Sequence, residues 1–113
     1  LIYKLREKEY FMSSVVVLHH VPCENFREFP IAVVDCGDRT GTKALDYAYE
    51  VTQNIDESWS IDGVEKYFDI KLLYPNEIIN GVEIGHRSTS IGDRMILDNQ
   101  KFEVAAQGFE RIE

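Results

Sequence analysis

Two short runs, VVVLHHV (residues 15–21) and PIAVVDC (residues 30–36), are apolar on both alternations of a strand's two-residue period. Because successive side chains in a strand point to opposite faces, such a run has no face suited to water. Valine and isoleucine dominate both runs, and their restricted χ1 fits a pleated surface. Each run is bounded by ladder-stopping chemistry. Pro22 has no amide hydrogen to donate, and GDRTGT after Cys36 is loop-forming. Two central, covered strands are therefore expected, and the rest of the chain must supply their cover.

The best candidate for that cover is TKALDYAYEVTQNI (residues 42–55), where Ala44, Ala48, Val51 and Ile55 recur at helical spacing with Leu45 and Thr52 beside them. Thr42 is the expected N-cap, and Asn54-Ile55-Asp56 the expected end. IYKLREKEYF (residues 2–11) alternates apolar and charged positions, which suits an edge strand. Beyond the helix, Trp59 sits in a short SWSI piece before an Asp62-Gly63 turn. YFDIKLLY (residues 67–74) then places Phe68, Ile70, Leu72 and Tyr74 on one parity, as an amphipathic strand halted by Pro75. Asn80-Gly81 between Ile78-Ile79 and Val82-Glu83-Ile84 is a two-residue hairpin signal. A second hairpin is expected where RMIL and KFEVAA flank Asp98-Asn99-Gln100. The fold class this implies is α+β: one small domain over residues 1–113, a curled antiparallel β-sheet or partial barrel with one principal helix.

Charge narrows the function classes. The 113 residues carry a formal net charge of −8, and residues 44–86 hold two basic against nine acidic side chains. Direct nucleic-acid binding is disfavoured, because phosphate neutralisation needs clustered lysine and arginine. An anionic membrane surface would repel the chain, and no apolar run approaches the roughly 20 residues of a membrane span. No basic-then-apolar leader opens the sequence, although little weight rests on a start at Leu1. Cys23 and Cys36 are accordingly read as reduced thiols in a cytosol.

The stretch GHRSTSIGDRMILDNQKFEVAAQGFERI (residues 85–112) is the most patterned part of the chain. Its R-S-T-S-I-G-D loop, apolar hairpin and G-F-E-R-I end, preceded by A-L-D-Y-A-Y-E-V-T-Q-N-I-D and Trp59, resemble a module of small bacteriophage and mobile-element proteins, cyanophage-like ones among them. The resemblance spans residues 44–112 and brings no catalytic residues with it. What it implies is provenance: an accessory protein at work in the cytoplasm of a bacterial host.

Read from the residues alone, the loop has a structural explanation. Ser88, Thr89 and Ser90 would bond nearby backbone, Gly92 would take a positive φ, Asp93 would accept amides across the turn, and Gly108 would let Phe109 enter the core. The chemical alternative is an anion site for a small ligand or nucleotide phosphate, built from His86, Arg87, Ser88, Thr89 and Ser90. It lacks the G-x-x-x-x-G-K-[ST] pattern and a following helix.

Other constellations point less far. His19, His20, Cys23 and Cys36 lack metal-ligand spacing, and adjacent strand histidines face opposite ways, so no metal site is expected. Cys36 at the end of an apolar strand reads as an inert buried thiol, and Asp35 and Asp38 as turn residues. With no catalytic pair and no cofactor fingerprint, the favoured function is non-enzymatic: binding and modulating a host protein, one with a basic surface. The proposed contact residues are Asp46, Glu50, Asp56, Glu57 and Trp59, although the sole tryptophan reads first as a core residue and only alternatively as an exposed interface anchor.

Overall fold

The computed structural model describes residues 13–21, 27–67 and 69–112. It is an α+β fold built on a six-stranded antiparallel sheet in the order β3-β2-β1-β6-β7-β8. The strands are β1 (Ser14–Val21), β2 (Arg27–Asp35), β3 (Ile70–Leu72), β6 (Arg94–Leu97), β7 (Gln100–Val104) and β8 (Phe109–Ile112). The sheet is open rather than closed into a barrel. A separate two-stranded ribbon is formed by β4 (Glu77–Ile79) and β5 (Val82–Ile84).

Both runs of mixed-parity apolar residues are central, as expected. β1 lies between β2 and β6, and β2 between β1 and β3. Register aligns Val15 with Val34 and Leu97, and Val17 with Ala32 and Met95, so one sheet face is continuous apolar surface. The helix α1 (Gly41–Val51) covers this face with Ala44, Leu45, Ala48 and Val51, all buried. The opposite face is half-buried at Val16, Val33 and Ile96. It carries the ion pairs of Arg94 and Lys101 with Glu28, and of Arg94 with Glu103. Pro30 is tolerated inside β2 because the β1–β2 register slips by one residue between Val17 and Leu18, which leaves Ile31 opposite no partner.

Both expected hairpins form. Asn80 and Gly81 (φ 53° and 80°) turn β4 into β5, and Asp98 and Asn99 (φ 53° and 65°) turn β6 into β7. Both φ values are positive in each turn, as a type I′ hairpin requires.

Three local expectations are corrected. The helix starts at Gly41, with Thr40 in the N-cap position but making no side-chain capping bond; Thr42 lies in its first turn, and the helix ends at Val51. Ile55 therefore leaves the apolar stripe and is 78% exposed. The segment around Trp59 is not a turn before a long strand. Residues Trp59–Gly63 wind into a π-helical turn in which both Asp62 and Gly63 donate to the carbonyl of Ser58, and α2 (Val64–Lys66) continues it. The strand read over residues 67–74 shrinks to Ile70–Leu72, because this winding reaches Lys66 and Leu73 and Tyr74 turn their amides to the carbonyl of Ile31. The expected edge strand at residues 2–11, Pro22, Cys23 and Phe68 lie outside the described residues.

Candidate functional site

The loop over residues 86–93 is held by a buried carboxylate. Asp93 is fully buried, and both its oxygens are engaged. Arg87 grips it with two bonds, Nη1 to Oδ2 at 2.7 Å and Nη2 to Oδ1 at 2.8 Å. The amide of Ser90 donates to Oδ2 at 2.8 Å and that of His20 to Oδ1 at 3.1 Å. Burial alone would raise the Asp93 carboxyl, but the bonds from Arg87, Ser90 and His20 outweigh it and hold it below its ordinary range. The bond to Asp93 in turn raises Arg87.

A second network runs from β1 into the end of α1. His19 Nε2 lies 2.9 Å from Thr89 Oγ1, which lies 2.8 Å from Thr52 Oγ1. Thr52 has one hydroxyl hydrogen, and the carbonyl of Ala48 takes it at 2.8 Å. One proton arrangement satisfies the whole series: His19 Nε2–H donates to Thr89, Thr89 to Thr52, and Thr52 to Ala48. Burial holds His19 down to about 4 despite the neighbouring Asp93 carboxylate, so the ring is neutral at pH 7. The loop is fastened to the helix end by further bonds. The amide of Thr89 donates to the Thr52 carbonyl, Gln53 Nε2 to the Thr89 carbonyl, and the amide of Asn54 to Ser88 Oγ.

These contacts decide what the five anion-site candidates are doing. Arg87 directs its terminal nitrogens at Asp93 and at the carbonyls of Ser88 and His20. His86 Nε2 donates to the Tyr74 carbonyl, Thr89 is buried, Ser88 takes the Asn54 amide, and Ser90 Oγ bonds the Ser88 carbonyl. An incoming phosphate would have to displace an internal carboxylate from a matched guanidinium fork, and geometry favours the carboxylate. The structural account of the loop is closer, with one change. Of its three hydroxyls only that of Ser90 bonds local backbone, whereas those of Ser88 and Thr89 reach the helix end. Gly92 does take a positive φ of 96°. Phe109 is half-buried against the core, its ring edge-on to Tyr49 at 6.4 Å.

Four of the five proposed contact residues come together. Glu50, Asp56, Glu57 and Trp59 line one open groove of about 400 Å³ between the end of α1 and the π-turn, with Tyr47, Ile55, Lys66 and Tyr67 among its other walls. Asp46 sits outside it, one turn back on the exposed face of α1. Glu57 pairs with Lys66 at 3.4 Å, which leaves the carboxylates of Glu50 and Asp56 in excess at the rim. Tyr47 is a fixed wall. Its hydroxyl donates to Asp69, and the Arg39 guanidinium stacks on its ring 3.8 Å from the centroid.

Trp59 needs correction as a contact residue. It is 1% exposed, and its indole N–H donates to the Arg87 carbonyl at 2.8 Å, so it forms the groove's floor rather than an anchor. A large aromatic ring is stabilised by exactly the cover this position offers, its N–H included.

Sequence reasoning missed His19, Thr52 and Asp69, whose partners lie 70, 37 and 22 residues away in the chain. Among the described residues no group of three or more His, Cys, Asp or Glu is arranged to hold a metal ion, and no helix is long and apolar enough to cross a membrane. Cys36 is a free, buried thiol that burial raises to about 11. No protein-family model, no curated protein and no solved structure matches this chain.

Proposed function

We propose that this chain is a non-enzymatic interaction module that takes a basic, extended segment of a protein partner into the groove beside α1. The observation that carries the reading is the convergence of Glu50, Asp56 and Glu57 on one concave surface floored by Trp59 and walled by Tyr47 and Tyr67. Carboxylates at a rim steer and orient a cation, while tyrosine rings offer faces on which a guanidinium or ammonium group can rest. Tyr47 already holds Arg39 in that manner. The resemblance of residues 44–112 to phage and mobile-element modules points to a bacterial host protein as the partner, with binding that would block or redirect a host process.

The test is calorimetric titration with short peptides carrying alternating lysine or arginine, against matched peptides carrying glutamine. The reading expects binding of the basic peptides alone. Affinity should fall as salt rises from about 0.1 M to 1 M, where the Debye length shrinks from about 10 Å to 3 Å. Chemical-shift changes should map to Tyr47, Glu50, Ile55 and Tyr67. Basic peptides that fail to bind, or that bind with shifts elsewhere, would overturn it.

A further inference from the structure

The groove beside α1 already contains a cation of its own. Lys66 closes the winding that begins at Trp59, and its side chain meets the segment that enters the π-turn. Its Nζ lies 3.4 Å from Glu57 Oε2 and 5.8 Å from the centroid of the Tyr67 ring. All three residues line the groove. A carboxylate and a tyrosine ring are the two kinds of group that the groove offers a partner's cation, and one internal ammonium uses both.

The backbone fixes this arrangement on either side. The amide of Trp59 donates to Asn54 Oδ1 at 2.9 Å, which holds the segment bearing Glu57. The amide of Tyr67 donates to the carbonyl of Gly63 at 2.7 Å, which fixes the end of α2. The contact between the side chains is weak by contrast. Lys66 and Glu57 keep 61% and 37% of their side-chain surface in water, and an ion pair so exposed contributes little to stability. Water and a competing cation can both reach it, and the fold loses little when another cation takes its place.

We propose that Lys66 is an internal competitor for the groove, holding Glu57 and the Tyr67 ring until a cation of the partner displaces it. The inference rests on the groove being the site for basic segments, and it adds what limits their affinity. While Lys66 stays paired, its charge offsets that of Glu57, and an incoming cation is attracted mainly by Glu50 and Asp56. Displacement breaks the internal pair, so affinity is lowered by the strength of that pair, up to about fivefold. A segment with one isolated cation merely exchanges one weak pair for another. A segment with several cations engages Glu50 and Asp56 as well, so the competitor favours densely basic partners.

Calorimetry with the basic peptides, on the unaltered chain and on Lys66→Gln, tests this. The substitution should tighten binding by about threefold to fivefold. Lys66→Arg keeps a cation in place and should bind no more tightly than the unaltered chain. Lys71 is an exposed lysine of β3 outside the groove walls, and Lys71→Gln makes the same change in net charge. Its effect should stay below about twofold, because screening weakens a distant charge. In a Glu57→Gln background the pair no longer exists, and Lys66→Gln should then gain no more than the Lys71 control. Near-ultraviolet dichroism of Trp59 reports whether each variant is folded. Unchanged affinity in Lys66→Gln overturns the competitor and leaves the groove reading standing. So does an equal gain in Lys71→Gln, or a gain that persists in full without Glu57. If neither the unaltered chain nor Lys66→Gln binds any basic peptide, the groove reading itself fails and this inference with it.

Discussion

At the scale of single residues, the decisive features are a buried acid and a buried base that stay in their pH 7 forms. Asp93 is ionised because Arg87 and two backbone amides compensate its burial, and His19 is neutral because burial outweighs the nearby carboxylate. The two respond to acid in the same direction. The unfolded chain protonates His19 near 6.5, whereas the folded chain resists until about 4, so the unfolded state binds the extra proton throughout that window. Stability should fall by about 3 kcal/mol on this account as pH drops from 6.5 to 4. Below 3.8 the depressed Asp93 adds a further loss as pH falls through its folded value. Urea unfolding at a series of pH values checks this, with His19→Asn as the comparison. The variant should lose the slope between 6.5 and 4, and parallel curves for the two proteins would show that His19 does not titrate as described. The sequence made Asp93 legible as an acceptor of turn amides, since that role is local. It could not reveal Arg87 as its partner in place of an external anion, because a guanidinium six residues away looks the same whether it faces inward or outward.

At the scale of elements, legibility followed the range of the forces that set each one. The two hairpin turns are specified by two residues apiece, and both positions take positive φ. The central strands follow from composition alone. The end of α1 does not, because the hydroxyls and amides of the loop over residues 88–89 bind Thr52 and Asn54 and set where the chain leaves the helix. The π-turn at Trp59–Gly63 was equally hidden, since five residues around one tryptophan carry no helical period. The turn at Gly92 is a junction between elements and can be tested directly. Its φ is 96°, and a Cβ there would lie 3.1 Å from His20 Cε1. Gly92→Val should therefore cost at least the ~1–3 kcal/mol of a residue held in an unfavourable backbone region, with steric displacement of His20 added. Gly108, also at positive φ but with open space around it, should suffer only the backbone part of that penalty. Thermal unfolding of Gly92→Val and Gly108→Val compares the two. An equal loss in both would mean that contact with His20 contributes nothing.

At the scale of the whole molecule, the proposed groove lies in the acidic middle of the chain, and Glu50, Asp56 and Glu57 line it. Reversing Glu50 and Glu57 to lysine adds two charges per substitution, taking the chain from −8 to −4. Neither residue is buried, and exposed charges contribute only about 0–1 kcal/mol each, so the fold should survive with little change in melting temperature. The groove should then lose its basic peptides, through both the missing carboxylates and the repulsion of new ammonium groups. Calorimetry with the basic peptide, on a variant that melts like the original chain, checks this, and an unchanged affinity would mean that these carboxylates form only a solvated surface.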